Sequence, residues 1–430
     1  MGTGSIMQEF YKTDLFGGAT RKPQSFRDID VRQAVLEDLA LKILYLSGTI
    51  SVLELGERMK LGFEISSDIF GRLRTERFCQ VSGMVGNIPQ IAITSEGRNR
   101  ALELLAQCHY AGHAPVTLES YVNMSRRQSV RDVAVHPPDV QRAFAHLVID
   151  DKSLRQFGTA LNSGSAIFLY GPPGTGKTTI AETLSQVLSK EEVWIPYAVE
   201  VDGQIITVYD PAIHKRNTLS EPKERDERWV LCKRPTVLVG GELTIEMLDL
   251  EFNLQTRFYV GPVQMKANNG VLIIDDFGRQ RVSPAELLNR WVVPLDRRID
   301  FLTLAGGKKI EMPFEMLIVF ASNIDPADLV DQAFLRRIQT KIKIGACTEE
   351  QFSEIFRRYA KEQSVLWEDG ICNDLIHFIR TTLKQELRSC HPRDIVNQVR
   401  WAARYEGRTP YLDRTSLMRA VEAYFLTPTD

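Results

Sequence analysis

The feature that most restricts what this chain can become is the run Gly171-Pro172-Pro173-Gly174-Thr175-Gly176-Lys177-Thr178. It stands between an apolar stretch, Ala166 to Tyr170, and a helical pattern that places Ile180, Leu184, Val187 and Leu188 on one face. The spacing G-x-x-x-x-G-K-T in that setting predicts a strand, a tight loop and a helix. The glycines let the backbone pass close to an anion, so that successive N–H groups and the helix N-terminus offer donors and positive potential to phosphate oxygens. Lys177 is the expected bridge between the β- and γ-phosphates of ATP, Thr178 the hydroxyl ligand of Mg²⁺, and Thr179 the end of the binding segment.

A second element fixes the metal side of such a site. Val271-Leu272-Ile273-Ile274 reads as a buried strand that delivers Asp275 and Asp276 at its carboxyl end, where open α/β sheets bind their ligands. Asp275 is the expected carboxylate for the Mg²⁺ shell. Asp276 is the candidate base for an attacking water, and a helix N-cap is its other reading.

With these pieces the chain resembles the AAA+ ATPases, and further residues fall in that family's order. Asn323, after the strand Met316 to Ser322, is similar to the family's sensor 1. Asp331-Gln332-Ala333-Phe334-Leu335-Arg336-Arg337 resembles the segment that carries an arginine finger, with Arg336 as first choice and Arg337 as second. His391-Pro392-Arg393 resembles sensor 2, which makes Arg393 a contact to phosphate from the same subunit. The family has glutamate where this chain has Asp276, and the shorter side chain bears on the rate of hydrolysis more than on nucleotide binding. A strand pair around Gly306-Gly307, ahead of the sensor strand, and the segment Lys266 to Gly270 are similar to MoxR-like and related hairpin-bearing members. The resemblance covers roughly 136–400. It implies an αβα parallel-sheet domain with a C-terminal helical lid, an oligomer, a hexameric ring as in the family, and a protein client.

Beyond the motifs, the chain divides into five stretches. Residues 1–30 read as a tail and 31–112 as a small α+β domain. In that domain a first helical stripe (Leu36, Leu39, Ala40, Ile43, Leu44) is followed by a capping box at Ser51 and Glu54, a third helix, and two strands before a last helix. That order resembles a winged helix-turn-helix. Residues 113–135, with Pro115 and Arg126, Arg127 and Arg131, read as a linker. Residues 136–345 are the expected ATPase core, with an insertion at about 191–264, and 346–430 the helical lid. Within the insertion, Tyr197 to Val201 and Gln204 to Val208 flank Asp202-Gly203 as a hairpin.

At 430 residues, with 43% apolar and 25% charged side chains, the chain is long enough for two or three buried cores. Its 53 basic residues against 55 acidic ones leave −2, so it is not a polycation that coats nucleic acid. DNA contact, if made, belongs to residues 31–131, where Arg72, Arg74 and Arg77 alternate with Glu64, Asp68 and Glu76. The six cysteines are scattered without a C-x-x-C pair and read as reduced thiols. No apolar run approaches the ~20 residues of a membrane span, so a cytoplasmic protein without membrane insertion is expected. Three functions fit: an oligomeric ATPase that remodels a macromolecular partner, a DNA-binding ATPase or regulator acting through the front domain, and a nucleotide-gated scaffold with weak hydrolysis.

Overall fold

A computed structural model describes residues 20–222, 224–329 and 335–425. The front domain is built from α1 (Gln33–Ser47), β1 (Ile50–Ser51), α2 (Val52–Met59), α3 (Phe63–Thr75), β2 (Cys79–Val85), β3 (Ile88–Ile93) and α4 (Ser95–Gln107). The short β1 pairs with β3, giving an antiparallel sheet in the order β1-β3-β2. Ser51 starts α2 as expected: its hydroxyl accepts from the Glu54 amide at 3.0 Å, satisfying one of the donors a helix start leaves open. Leu36, Leu39, Ile43, Leu55 and Ile69 close the core of the domain.

Residues 113–135 are folded rather than a linker. They contain β4 (Val116–Thr117), which pairs in parallel with a later strand through Val199 and Glu200, and α5 (Leu118–Arg127). The polar residues that suggested a tether serve as caps and anchors. Thr117 caps α5 through the Ser120 amide at 3.2 Å, and Asp30 accepts from both the Thr117 amide (2.9 Å) and its hydroxyl (2.8 Å). On the inner face of α5, Tyr121 and Met124 are buried.

The next elements are α6 (Pro137–Phe144), α7 (Asp151–Ser163), β5 (Ile167–Tyr170) and α8 (Lys177–Leu188), followed by β6 (Glu192–Pro196), β7 (Ala198–Val201), β8 (Gln204–Thr207) and β9 (Trp229–Lys233). Then come β10 (Thr236–Val239), β11 (Glu251–Phe252), β12 (Tyr259–Val260), β13 (Val271–Ile274), α9 (Pro284–Arg297), β14 (Ile299–Thr303), β15 (Lys309–Pro313), β16 (Leu317–Ser322) and β17 (Thr340–Lys343).

Two layers come from these elements. One is a five-stranded sheet in the order β11-β12-β8-β7-β4, joined by the β6–β9 ribbon and the β14–β15 hairpin around Trp194, Ile206, Tyr259, Met265 and Met312. Its Ala198 and Ile205 belong to the core of the front domain. The other is a five-stranded parallel sheet in the order β10-β13-β16-β5-β17. Its inner strands β13, β16 and β5 are almost wholly apolar because helices cover both faces, whereas the edge strand β17 carries Thr340, Lys341 and Lys343. Ile167, Ile273 and Val319 pack with Phe157, Ile180 and Leu184 on one side. On the other, Phe168, Ile274 and Phe320 meet Phe277, Trp291 and Phe314. The molecule is thus a mixed α/β fold around a parallel sheet.

The C-terminal unit comprises α10 (Glu349–Glu362), β18 (Leu366–Trp367), α11 (Ile371–His377), α12 (Cys390–Tyr405), β19 (Tyr411–Leu412) and α13 (Arg414–Tyr424). Thr348 and Gln351 form the expected capping box on α10. Phe352, Phe356, Leu375, Ile395 and Val421 form a core separate from that of the parallel sheet. No helix among the described residues is long and apolar enough to cross a membrane.

Candidate functional site

The carboxyl ends of β5, β13 and β16 lie side by side in the parallel sheet, so the loops leaving them are brought together by register alone. The loop after β5 is Gly171–Gly176, with φ of +144° at Gly171, +77° at Gly174 and +89° at Gly176. Those angles cost an alanine ~1–2 kcal/mol each, which is why the sequence puts glycine there. Gly176 is the N-cap of α8, and Lys177 and Thr178 open the helix.

Five expected residues meet behind this loop. The Thr178 hydroxyl donates to Asp275 Oδ2 at 2.8 Å. Lys177 Nζ donates to Asn323 Oδ1 at 2.6 Å and to the carbonyls of Gly171 (3.0 Å) and Pro172 (2.8 Å). Asn323 Nδ2 in turn donates to Asp276 Oδ1 at 3.0 Å. Burial draws the Lys177 ammonium pKa below the ordinary lysine value, and the charges of Asp275 and Asp276 oppose that shift. The Asp276 backbone has φ of +48°, a left-handed turn that aspartate tolerates. The hydroxyl and carboxylate 2.8 Å apart are the hard oxygen donors that Mg²⁺ takes, and the glycine cradle is one that any Cβ would narrow, so the residues present fit the ATP and Mg²⁺ expected of them.

The cleft these residues line has a volume of ≈ 630 Å³. It runs from Pro173–Thr179, Asp275, Asp276 and Asn323 to a wall that includes Val148, Ile149, Ile355 and Tyr359. Arg393 also lines it, with its Nε donating to Asp394 Oδ1 at 2.9 Å. Arg336 lies apart from the cleft, exposed after β16, and Arg337 holds Asp296 at 2.9 Å. Asp331 to Phe334, the first half of the expected finger segment, fall outside the described residues.

Three features of the site were not singled out from the sequence. The start of α12 is fastened to the phosphate loop: the Cys390 amide and the Ser389 hydroxyl both donate to Gly174 O at 3.1 Å. Arg388 packs against the same glycine, and its Nε is buried without a hydrogen-bond partner among the described residues. The apolar wall comes from the turn before α7 and from α10, whose residues look like ordinary core in a helical pattern. Only the basic residue just ahead of His391-Pro392 was a signal available in the sequence. The scattered His and Cys residues form no group able to hold a metal among the described residues.

Comparison with known proteins gives partial matches. Residues 348–423 match a family described as a domain of unknown function (DUF8689). A proteasome-associated ATPase of Acidimicrobium ferrooxidans is 28% identical over 208 residues, 46% of this chain and 29% of that protein. Its counterpart in Kineococcus radiotolerans is 25% identical over 202 residues, again 46% of this chain and 29% of that protein. The chain therefore spans under a third of the length of the curated relatives it matches. Among solved structures, the Thermotoga maritima RuvB Holliday junction branch migration motor is 16% identical with a TM-score of 0.38, covering 64% of this chain and 70% of that one. NtrX from Brucella abortus in complex with ADP is 13% identical with a TM-score of 0.42, covering 77% and 67%.

Proposed function

We propose that this chain is an AAA+ ATPase that binds ATP with Mg²⁺ in the cleft between the parallel sheet and the C-terminal helical unit, and hydrolyses it to remodel a macromolecular partner. The observation that carries the reading is the contact of Thr178 with Asp275 at 2.8 Å behind a glycine loop that starts a helix. The weak similarity to proteasome-associated ATPases supports the same class.

Each residue has a role that follows from its place. The amides from Gly174 to Thr178 and the α8 N-terminus receive the phosphates. Lys177, now shared among three oxygens, supplies the cation nearest the β- and γ-phosphates. Thr178 and Asp275 would hold Mg²⁺, which neutralises phosphate charge. Asp276, oriented by Asn323, would accept a proton from the water that attacks the γ-phosphorus as the bond to the β-phosphate oxygen breaks. From the C-terminal unit, Arg393 and Arg388 would contact phosphate within the subunit. Arg336 would complete the site of a neighbouring copy, which is why exposure apart from its own cleft suits it. A ring of such copies, hexameric by resemblance, is part of this proposal.

For the front domain, we read the order helix, strand, two helices, two strands, helix as a winged helix that docks protein. Residues 31–112 hold nine basic and nine acidic side chains, and the span from Cys79 to Ile93 carries no charged residue. Such a surface offers little to a phosphate backbone. The alternative, duplex binding through 31–131, predicts salt-dependent retardation of DNA that disappears when those residues are deleted.

The shared-site mechanism is tested by steady-state turnover together with ATP binding. Arg336→Ala is expected to bind ATP normally and to lose turnover by ~10³ or more. An Arg336→Ala protein with full activity would discard that mechanism.

A further inference from the structure

A buried ammonium is costly unless it is paired, and among the described residues Lys42 is buried with no carboxylate in ion-pair contact. Its side chain leaves the inner face of α1 and is only 7% exposed, yet among the described residues its hydrogen-bond partner is one carbonyl, Cys108 O, at 3.3 Å. The nearest acid on its own helix, Asp38, is engaged by Arg100 at 3.8 Å. Burial lowers the Lys42 pKa, with Asp38 and Cys108 opposing the shift. An ammonium carries three N–H donors, so part of its capacity is unmet.

Lys42 lines a cleft of ≈ 570 Å³ between the front domain and the β-layer. Arg257 stands at the same cleft, in a turn with φ of +53°, and donates to Ala106 O. The two cations are thus anchored two residues apart on the carbonyl end of α4. Arg32, the third cation of the lining, is matched by Glu200 at 3.2 Å. Leu39, Leu104, Ile205 and Phe252 give the lining its apolar part, and the one carboxylate in it, Asp38, is the one engaged by Arg100.

We propose that this cleft is a binding site for a small organic anion, with a carboxylate or phosphate group received by Lys42 and Arg257 and an apolar body lying on Leu39, Leu104 and Phe252. Such a ligand touches α1 and α4 on one side and β8 and the β11–β12 turn on the other, so it would stiffen the joint between the front domain and the rest of the molecule. The site is separate from the nucleotide cleft and shares no lining residue with it.

The competing explanation is that Lys42 and Arg257 only cap the end of α4. The two are separated by fluorescence titration of the full chain with anilinonaphthalene sulfonate, an aromatic anion of the required kind, followed by displacement with benzoate or with phenyl phosphate. The expected result is one saturable site whose affinity falls about tenfold or more in Lys42→Met and is kept in Lys42→Arg. Gln204→Glu, which adds an acid at the cleft without touching the core, is expected to weaken the dye as well, and it carries the test if Lys42→Met does not fold. Displacement by benzoate marks a carboxylate ligand and by phenyl phosphate a phosphate ester. Titrations that both Lys42→Met and Gln204→Glu leave unchanged, or a dye that neither anion displaces, overturn the proposal.

Discussion

Asp276 combines a strained backbone, an exposed carboxylate and one side-chain donor, Asn323 Nδ2, at 3.0 Å. A group held only for structure has little reason to occupy a left-handed turn at a strand end, whereas a base that must reach a water gains from being turned out of the sheet. Asp276→Ala is therefore expected to bind ATP and to turn over ~10²-fold more slowly, read by phosphate release against nucleotide affinity. His391 gives a second prediction at this scale. Burial, with Arg388 beside it, pushes its imidazole down to about 4 from an ordinary 6.5. The folded state thus favours the neutral ring, so the stability it contributes is full above 6.5 and is lost as pH falls toward 4. A melting temperature that drops over that window in the wild type, and less in His391→Gln, is the expected outcome. The placing of Asp275, Asn323 and the glycines around one loop was legible because strand ends and turn residues announce themselves in local sequence. Arg388 was not, since what makes it notable is burial against Gly174.

At the scale of elements, the phosphate loop and α12 act together. A Cβ on Gly174 would meet Cys390 Sγ at 2.5 Å, and the φ of +77° is one that L-residues resist. Gly174→Ala is expected to weaken ATP binding roughly tenfold, at the ~1–2 kcal/mol such a backbone costs, measured by titration calorimetry. In the sheet beneath, Phe168 and Phe320 stack at 5.9 Å, and Phe320 is fully buried. Phe320→Ala is expected to destabilise the fold by ~3–5 kcal/mol, read as a loss in chemical denaturation. The strands β5, β13 and β16 were readable because each is a continuous apolar run between turn signals, whereas β17 is Thr-Lys-Ile-Lys and offers only Ile342 as a signal. The β-layer was not: β4, β11 and β12 are two residues long, and β4 finds its partner at Val199 and Glu200, so no local periodicity announces it. For the same reason 113–135 looked like a tether when it is a strand and a capped helix.

Across the whole molecule, the proposed nucleotide cleft is lined from both the parallel-sheet core and the separately packed C-terminal core, so the angle between them would be the natural readout of what it holds. The β-layer meets the front domain through Ala198 and Ile205, and Asn269 ties it to the start of β13, accepting from Gln128 at 3.1 Å. If Arg336 serves a neighbour, particle mass should rise in ATP and Mg²⁺, and light scattering would register it. The claim on which all of this depends is that Lys177 and the loop around it clasp a triphosphate. Calorimetric titration of the purified chain with ATP in Mg²⁺, beside Lys177→Ala, tests it directly. The account predicts one site per chain in the wild type and none in the variant; a wild type that ignores millimolar ATP, or a variant that binds as well, contradicts it.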